Sequence, residues 1–142
     1  MMRICVIDGR GGGLGRRLVT ELRTRFRGSH NIVGLGTNVV AAEAMQQAGA
    51  DSVGVGSRAI ADTVPTVDVI IASLNLLLPG SLLGEVTPDI AQAILKARAK
   101  KVLLPVNRAL VEVVGTDDQT LEALIARSLS RVTSLVAAAP QV

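Results

Sequence analysis

The chain has no tryptophan, no tyrosine and one phenylalanine, Phe26. Proteins that read single-stranded nucleic acid stack bases on aromatic rings, and this sequence offers no such platform. A single cysteine, Cys5, excludes an intramolecular disulfide, and it is expected to act as a small buried hydrophobe. One histidine, His30, shares no ligand spacing with Cys5, which excludes the usual zinc site. Long apolar runs are also missing. The longest, Val69-Ile70-Ile71-Ala72-Ser73-Leu74-Asn75-Leu76-Leu77-Leu78, is broken by Asn75 and falls short of the roughly 20 residues of a membrane helix. Asp8 and Arg10 stand where a signal peptide would carry its apolar core. The expectation is a soluble cytoplasmic protein with no membrane partner.

Glycine, by contrast, is concentrated at the start. The apolar run Arg3-Ile4-Cys5-Val6-Ile7-Asp8 leads into five glycines within seven residues, Gly9, Gly11, Gly12, Gly13 and Gly15. Leu14, Leu18, Leu22 and Phe26 then recur at helical spacing. Strand, glycine turn and helix in this order form a cradle for phosphate: glycine lets backbone N–H groups approach, and a helix N-terminus offers unpaired donors with partial positive charge. The expected ligand contacts here are Gly9, Arg10, Gly11, Gly12, Gly13, Leu14 and Gly15. Asp8, at the strand tip, is expected to shape the loop by accepting its N–H groups.

Further along, Asn31 to Gly36 reads as a second strand and Ser52 to Val55 as a third. Thr37 or Asn38 caps the helix between them. Residues 56–63 carry a weak helical signal. Residues 67–72 are strongly apolar, as a strand buried on both faces of a parallel sheet should be. Thr87-Pro88-Asp89 starts a helix, and Val102 to Val106 forms a strand, with Pro105 near its end. Leu110 to Val114 reads as a last strand. Thr116 and Gln119 have capping-box spacing before a final helix with Leu121, Leu124, Ile125, Leu129 and Val132 on its stripe.

Alternation of strands and helices predicts an α/β protein: a three-layer, Rossmann-like, parallel or mostly parallel sheet of about five to six strands with helices on both faces. At 142 residues the chain is expected to be one domain over 1–136, with a loose tail at 137–142. In such sheets ligands bind beyond the carboxyl ends of the strands. That rule adds Thr37, Asn38, Asn75, Asn107 and Arg108 to the candidate contacts. Glu85 has two readings, a general base or a sheet-edge ion pair, with the second preferred. His30 is expected at the opposite end of the sheet.

The charge balance is +3, and Arg10, Arg16, Arg17, Arg23, Arg25 and Arg27 make up half of the twelve arginines. Without aromatics to accompany them, these read as a solvated helix face, and a nucleic-acid partner is not expected.

The spacing Gly9-x-x-x-Gly13-x-Gly15 resembles the fingerprint of short-chain dehydrogenases and reductases, with Asp8 where that family usually has threonine. Those enzymes use a tyrosine with a lysine four residues on, so the absence of tyrosine excludes that mechanism. No Gly-Lys-Ser/Thr is present, which argues against a P-loop. Ile7-Asp8-Gly9 with Gly11-Gly12-Gly13, Leu35-Gly36-Thr37-Asn38, Ala48-Gly49-Ala50, Leu83-Gly84-Glu85 with Thr87-Pro88, and Pro105 with Asn107-Arg108 together resemble domain-of-unknown-function family 3842, a small bacterial family. The resemblance spans nearly the whole chain. It implies a compact Rossmann-like protein and carries no established activity.

The functional expectation is a small protein that binds a nucleotide or dinucleotide phosphate at residues 9–15, with catalytic residues unassigned and no metal site. The second strand ends without the acid that would hold an adenosine ribose, which counts against an ordinary NAD site. NADP stays open, with Arg10 or another arginine as partner of the 2′-phosphate, and so do NAD and other nucleotides. The partners expected are a phosphorylated small molecule and further copies of the chain. The alternative is a non-catalytic oligomeric scaffold or regulatory subunit, with contacts from residues 74–83 and the final helix.

Overall fold

In the computed structural model, residues 1–105, 111–116 and 119–138 are described. Five strands, β1 (Arg3–Asp8), β2 (Asn31–Gly36), β3 (Ser52–Val55), β4 (Val69–Ser73) and β5 (Lys100–Leu104), form one sheet in the order β3-β2-β1-β4-β5. Every neighbouring pair is parallel. The helices are α1 (Gly13–Phe26), α2 (Val39–Gln47), α3 (Gly56–Thr63), α4 (Pro88–Lys96) and α5 (Leu121–Ala138).

Side chains alternate across the strands, so β1, β2, β4 and β5 each feed two cores. Cys5, Ile7, Val33, Leu35, Ile70 and Ala72 join Ile60 of α3 and Ile90 and Ile94 of α4 on one face. Ile4, Val6, Ile32, Val69 and Ile71 join Leu18 and Leu22 of α1, Met45 of α2 and Ile125 and Leu129 of α5 on the other. The stripe of Leu14, Leu18, Leu22 and Phe26 packs into this second core as its spacing requires. Helices therefore cover both faces of the sheet, in three layers.

Several details differ from the sequence reading. The described residues 111–114 form no strand beyond a single bridge at Val111, which leaves five strands. Val106 and Leu110 lie outside the described residues. The cap of α5 is Thr120, whose Oγ1 accepts the Ala123 N–H at 3.0 Å, and not Thr116. The weak signal over 56–63 is a true helix. Ala137 and Ala138, expected in the loose tail, complete α5. No helix among the described residues is long and apolar enough to cross a membrane.

The arginines of α1 are largely occupied. Arg17 forms a bidentate pair with Glu122 on α5, Arg23 pairs with Asp51 at 2.7 Å, and Arg25 donates to Thr133 Oγ1. These contacts tie α1 to α5 and to the turn before β3.

Candidate functional site

The chain runs outward from β1 to β2 and β3, then returns to β4 and β5 on the other side. The switch point therefore lies between β1 and β4, where open parallel sheets form their crevice. Three connections meet at its rim: the glycine turn after β1, the turn after β2, and the long β4–α4 connection.

Gly12 sets the first of these. It is left-handed, with φ 73°, and an added Cβ would lie 2.8 Å from the Ala41 Cα. No L side chain fits, so α1 begins pressed against α2. Asp8 then folds the turn back on itself. Its Oδ1 accepts the Gly9 N–H at 2.8 Å and its Oδ2 the Gly15 N–H at 2.6 Å, the shaping role read from the sequence. Burial pushes the Asp8 carboxyl above its ordinary range; the two N–H groups oppose this, and the negative charge of Glu85 adds to the rise.

The remaining donors of the turn divide sharply. Gly12 N–H bonds the Gly9 carbonyl and Arg10 N–H bonds Glu85 Oε1 at 2.8 Å. The N–H groups of Gly11, Gly13 and Leu14 have no acceptor among the described residues. A Cβ at Gly11 or Gly13 would meet open space. Three unpaired donors thus stand at the positive end of α1, two of them on glycines with open space beside them.

The turn after β2 is locked by its own side chains. Asn38 caps α2, its Oδ1 accepting the Ala41 N–H, while its Nδ2 donates to the Arg10 carbonyl and to Glu85 Oε1. Thr37 Oγ1 donates to the same Glu85 oxygen at 2.7 Å. Glu85 is therefore neither a sheet-edge ion pair nor a free base. It crosses the rim from the β4–α4 connection and binds the turns after β1 and β2 together. The Arg10 N–H and the Thr37 hydroxyl are the main causes that hold its carboxyl below the ordinary glutamate range.

That connection is itself rigid. Gly80 N–H bonds the Val86 carbonyl, Val86 N–H bonds the Ser81 carbonyl, and Gly84 N–H bonds the Gly80 carbonyl. Leu82 and Leu83 are left-handed, with φ 56° and 55°, and Leu83 is 83% exposed. Leu82 and Glu85 sit over Gly9, where an added Cβ would lie 2.7 Å and 2.9 Å from them. At the tip of β4, Asn75 is 6% exposed, and its carboxamide has no partner among the described residues.

The sequence-derived contacts from Gly9 to Gly15, with Thr37, Asn38 and Asn75, thus lie on one rim. Asn107 and Arg108 lie outside the described residues. His30 sits at the opposite end, its Nδ1 accepting the Met2 N–H. Sequence reasoning missed the partners of Glu85, which stand 47, 48 and 75 residues away. The described grooves lie elsewhere; one of about 740 Å³ runs between β5 and α5.

Fold and rim define a three-layer α/β protein in which three connections meet at the carboxyl ends of a parallel sheet. Within that class the chain belongs to the family "Domain of unknown function (DUF3842)", which matches residues 3–137. No curated protein matches it. Among solved structures it is similar in fold to a dodecameric FMN-dependent UbiX-like decarboxylase from Escherichia coli O157:H7. The TM-score is 0.54 and the identity 16%, over 96% of this chain and 95% of that one.

Proposed function

We propose that this protein binds a phosphorylated nucleotide-type ligand, mono- or dinucleotide, with a phosphate on the N–H groups of Gly11, Gly13 and Leu14. The observation that carries this reading is the set of three unpaired donors at the N-terminus of α1, with open space beside Gly11 and Gly13. Asp8 and Glu85 take the neighbouring donors and fix the turn's shape without filling that space. Asn75 supplies an unpaired carboxamide at the tip of β4, the strand beside β1. Arg10 adds positive charge at the rim. Asn107 and Arg108, which follow β5, are further proposed contacts.

The FMN-dependent neighbour makes FMN one ligand to try beside NAD, NADP and ADP. The phosphate end of a flavin nucleotide matches the donor set of the glycine turn. The test is calorimetric titration with this panel, repeated with Gly13→Leu. An added Cβ at Gly13 meets no atom within 4 Å and the position needs no left-handed backbone, so the fold should survive the substitution. Saturable binding in the wild type, abolished by Gly13→Leu at unchanged melting temperature, supports the reading. Unchanged affinity in the variant, or no binding by any member of the panel, overturns it.

A second reading, an assembly of several copies, is favoured by one observation. Leu83 and Leu78 are exposed on the rim, and Leu83 is held outward on a left-handed turn. The similar decarboxylase is a dodecamer. Of the 74–83 segment expected to make such contacts, Leu76 is instead fully buried in the core.

A further inference from the structure

The sequence places no acid at the end of β2, yet the fold brings one there. In sheets of this order the ribose of a bound nucleotide lies at the tip of β2, beside the glycine turn, and a carboxylate accepts its hydroxyls. Here Glu85 Oε1 stands 2.7 Å from Thr37 Oγ1 and 2.9 Å from Asn38 Nδ2, the two residues that follow β2. The Arg10 N–H makes a third bond to the same oxygen, at 2.8 Å. Oε2 accepts no hydrogen bond among the described residues, and the side chain is half-buried. One oxygen thus anchors the carboxylate and the other is left to accept. The carboxamide of Asn75, at the tip of β4, likewise makes no hydrogen bond to a described residue and is left available to a ligand.

We infer that Glu85 Oε2 accepts the 2′,3′-diol of the ligand's ribose, so that the ligand is a ribonucleotide with a free 2′-hydroxyl. This rests on the phosphate reading of the glycine turn and selects among the ligands that reading admits. A 2′-phosphate would bring negative charge against Glu85, with the Asp8 carboxylate close behind it. Among the described residues, Arg10 is a cation whose field already acts on Glu85. A 2′-deoxy sugar would remove one donor from a charged acceptor. Such a bond contributes enough that its loss costs about tenfold in affinity or more.

The experiment is calorimetric titration of the full chain with two matched pairs, NAD against NADP and ADP against 2′-deoxy-ADP. It is repeated with Glu85→Gln, which keeps an acceptor at the Oε1 position and replaces Oε2 by a donor. The expected result is a preference of about tenfold or more for NAD and for ADP in the wild type. Both preferences should collapse in Glu85→Gln at an unchanged melting temperature. Binding of NADP or of 2′-deoxy-ADP as tight as its partner's overturns the inference and leaves the phosphate reading standing. So does a Glu85→Gln protein that discriminates as the wild type does. If FMN binds and no ribonucleotide does, the diol assignment falls and the phosphate site survives. If nothing on either panel binds, both fall.

Discussion

Asp8 and Gly15 are joined by a 2.6 Å hydrogen bond from the Gly15 N–H to Asp8 Oδ2, which closes the strand–turn–helix unit on itself. The other oxygen holds the Gly9 N–H. Asp8→Ala would leave both donors buried without partners. Each such orphan costs about 1–3 kcal/mol, so the variant should lose about 2–6 kcal/mol in denaturant unfolding. Asp8→Asn keeps one acceptor and should fall between the two. A loss within experimental error of zero for Asp8→Ala would show that the turn does not depend on this carboxylate.

Glu85 gives a pH signature of opposite sign to that of Asp8. Its folded pKa is lowered, so its contribution to stability is fully present above the unfolded value and is lost as pH falls through the lower folded one. Asp8 is raised, so its ionisation opposes folding as pH rises. The amide proton of Arg10 should therefore titrate with a midpoint below the ordinary glutamate value of 4.5. In Glu85→Gln that titration should vanish. A midpoint above the ordinary value would contradict the three-donor arrangement.

Cys5 is fully buried, and burial pushes its thiol up to about 12. The thiolate is the reactive species, so the native protein should resist a thiol-specific chromogenic reagent at about pH 8. Labelling should follow the unfolding rate and become complete in denaturant. Rapid stoichiometric labelling of the native protein would mean that β1 is far more accessible than its place at the centre of the sheet allows.

Leu83 tests assembly. Leu83→Asn suits the left-handed backbone and removes an exposed apolar side chain. If the rim joins copies of the chain, sedimentation should show a multimer for the wild type and smaller species for the variant. A wild-type monomer at working concentration would refute the oligomeric reading.

Most of the fold was legible because it is locally encoded. The i, i+4 stripe of Leu14, Leu18 and Leu22 could only be satisfied by a helix on an apolar sheet, and the unbroken run Val69-Ile70-Ile71-Ala72 only by a strand covered on both faces. The shaping role of Asp8 was also readable, since its partners lie one and seven residues on. Glu85 was not. Its bonds to Arg10, Thr37 and Asn38 exist only after three connections converge at one rim, and no periodicity marks that meeting. The capping box at Thr116 and Gln119 misled for a local reason. Gln119 N–H closes a turn onto the Thr116 carbonyl, and Thr120 takes the cap.

The central claim is that Gly11, Gly13 and Leu14 hold a phosphate through their backbone N–H groups. The most direct measurement is the amide NMR spectrum of the isotopically labelled protein during titration with ADP, against adenosine as control. Saturable downfield shifts of these three amides are expected with ADP and none with adenosine, while Gly15, whose N–H is held by Asp8, moves little. Shifts that spare these three amides, or a spectrum that does not change, would contradict the claim.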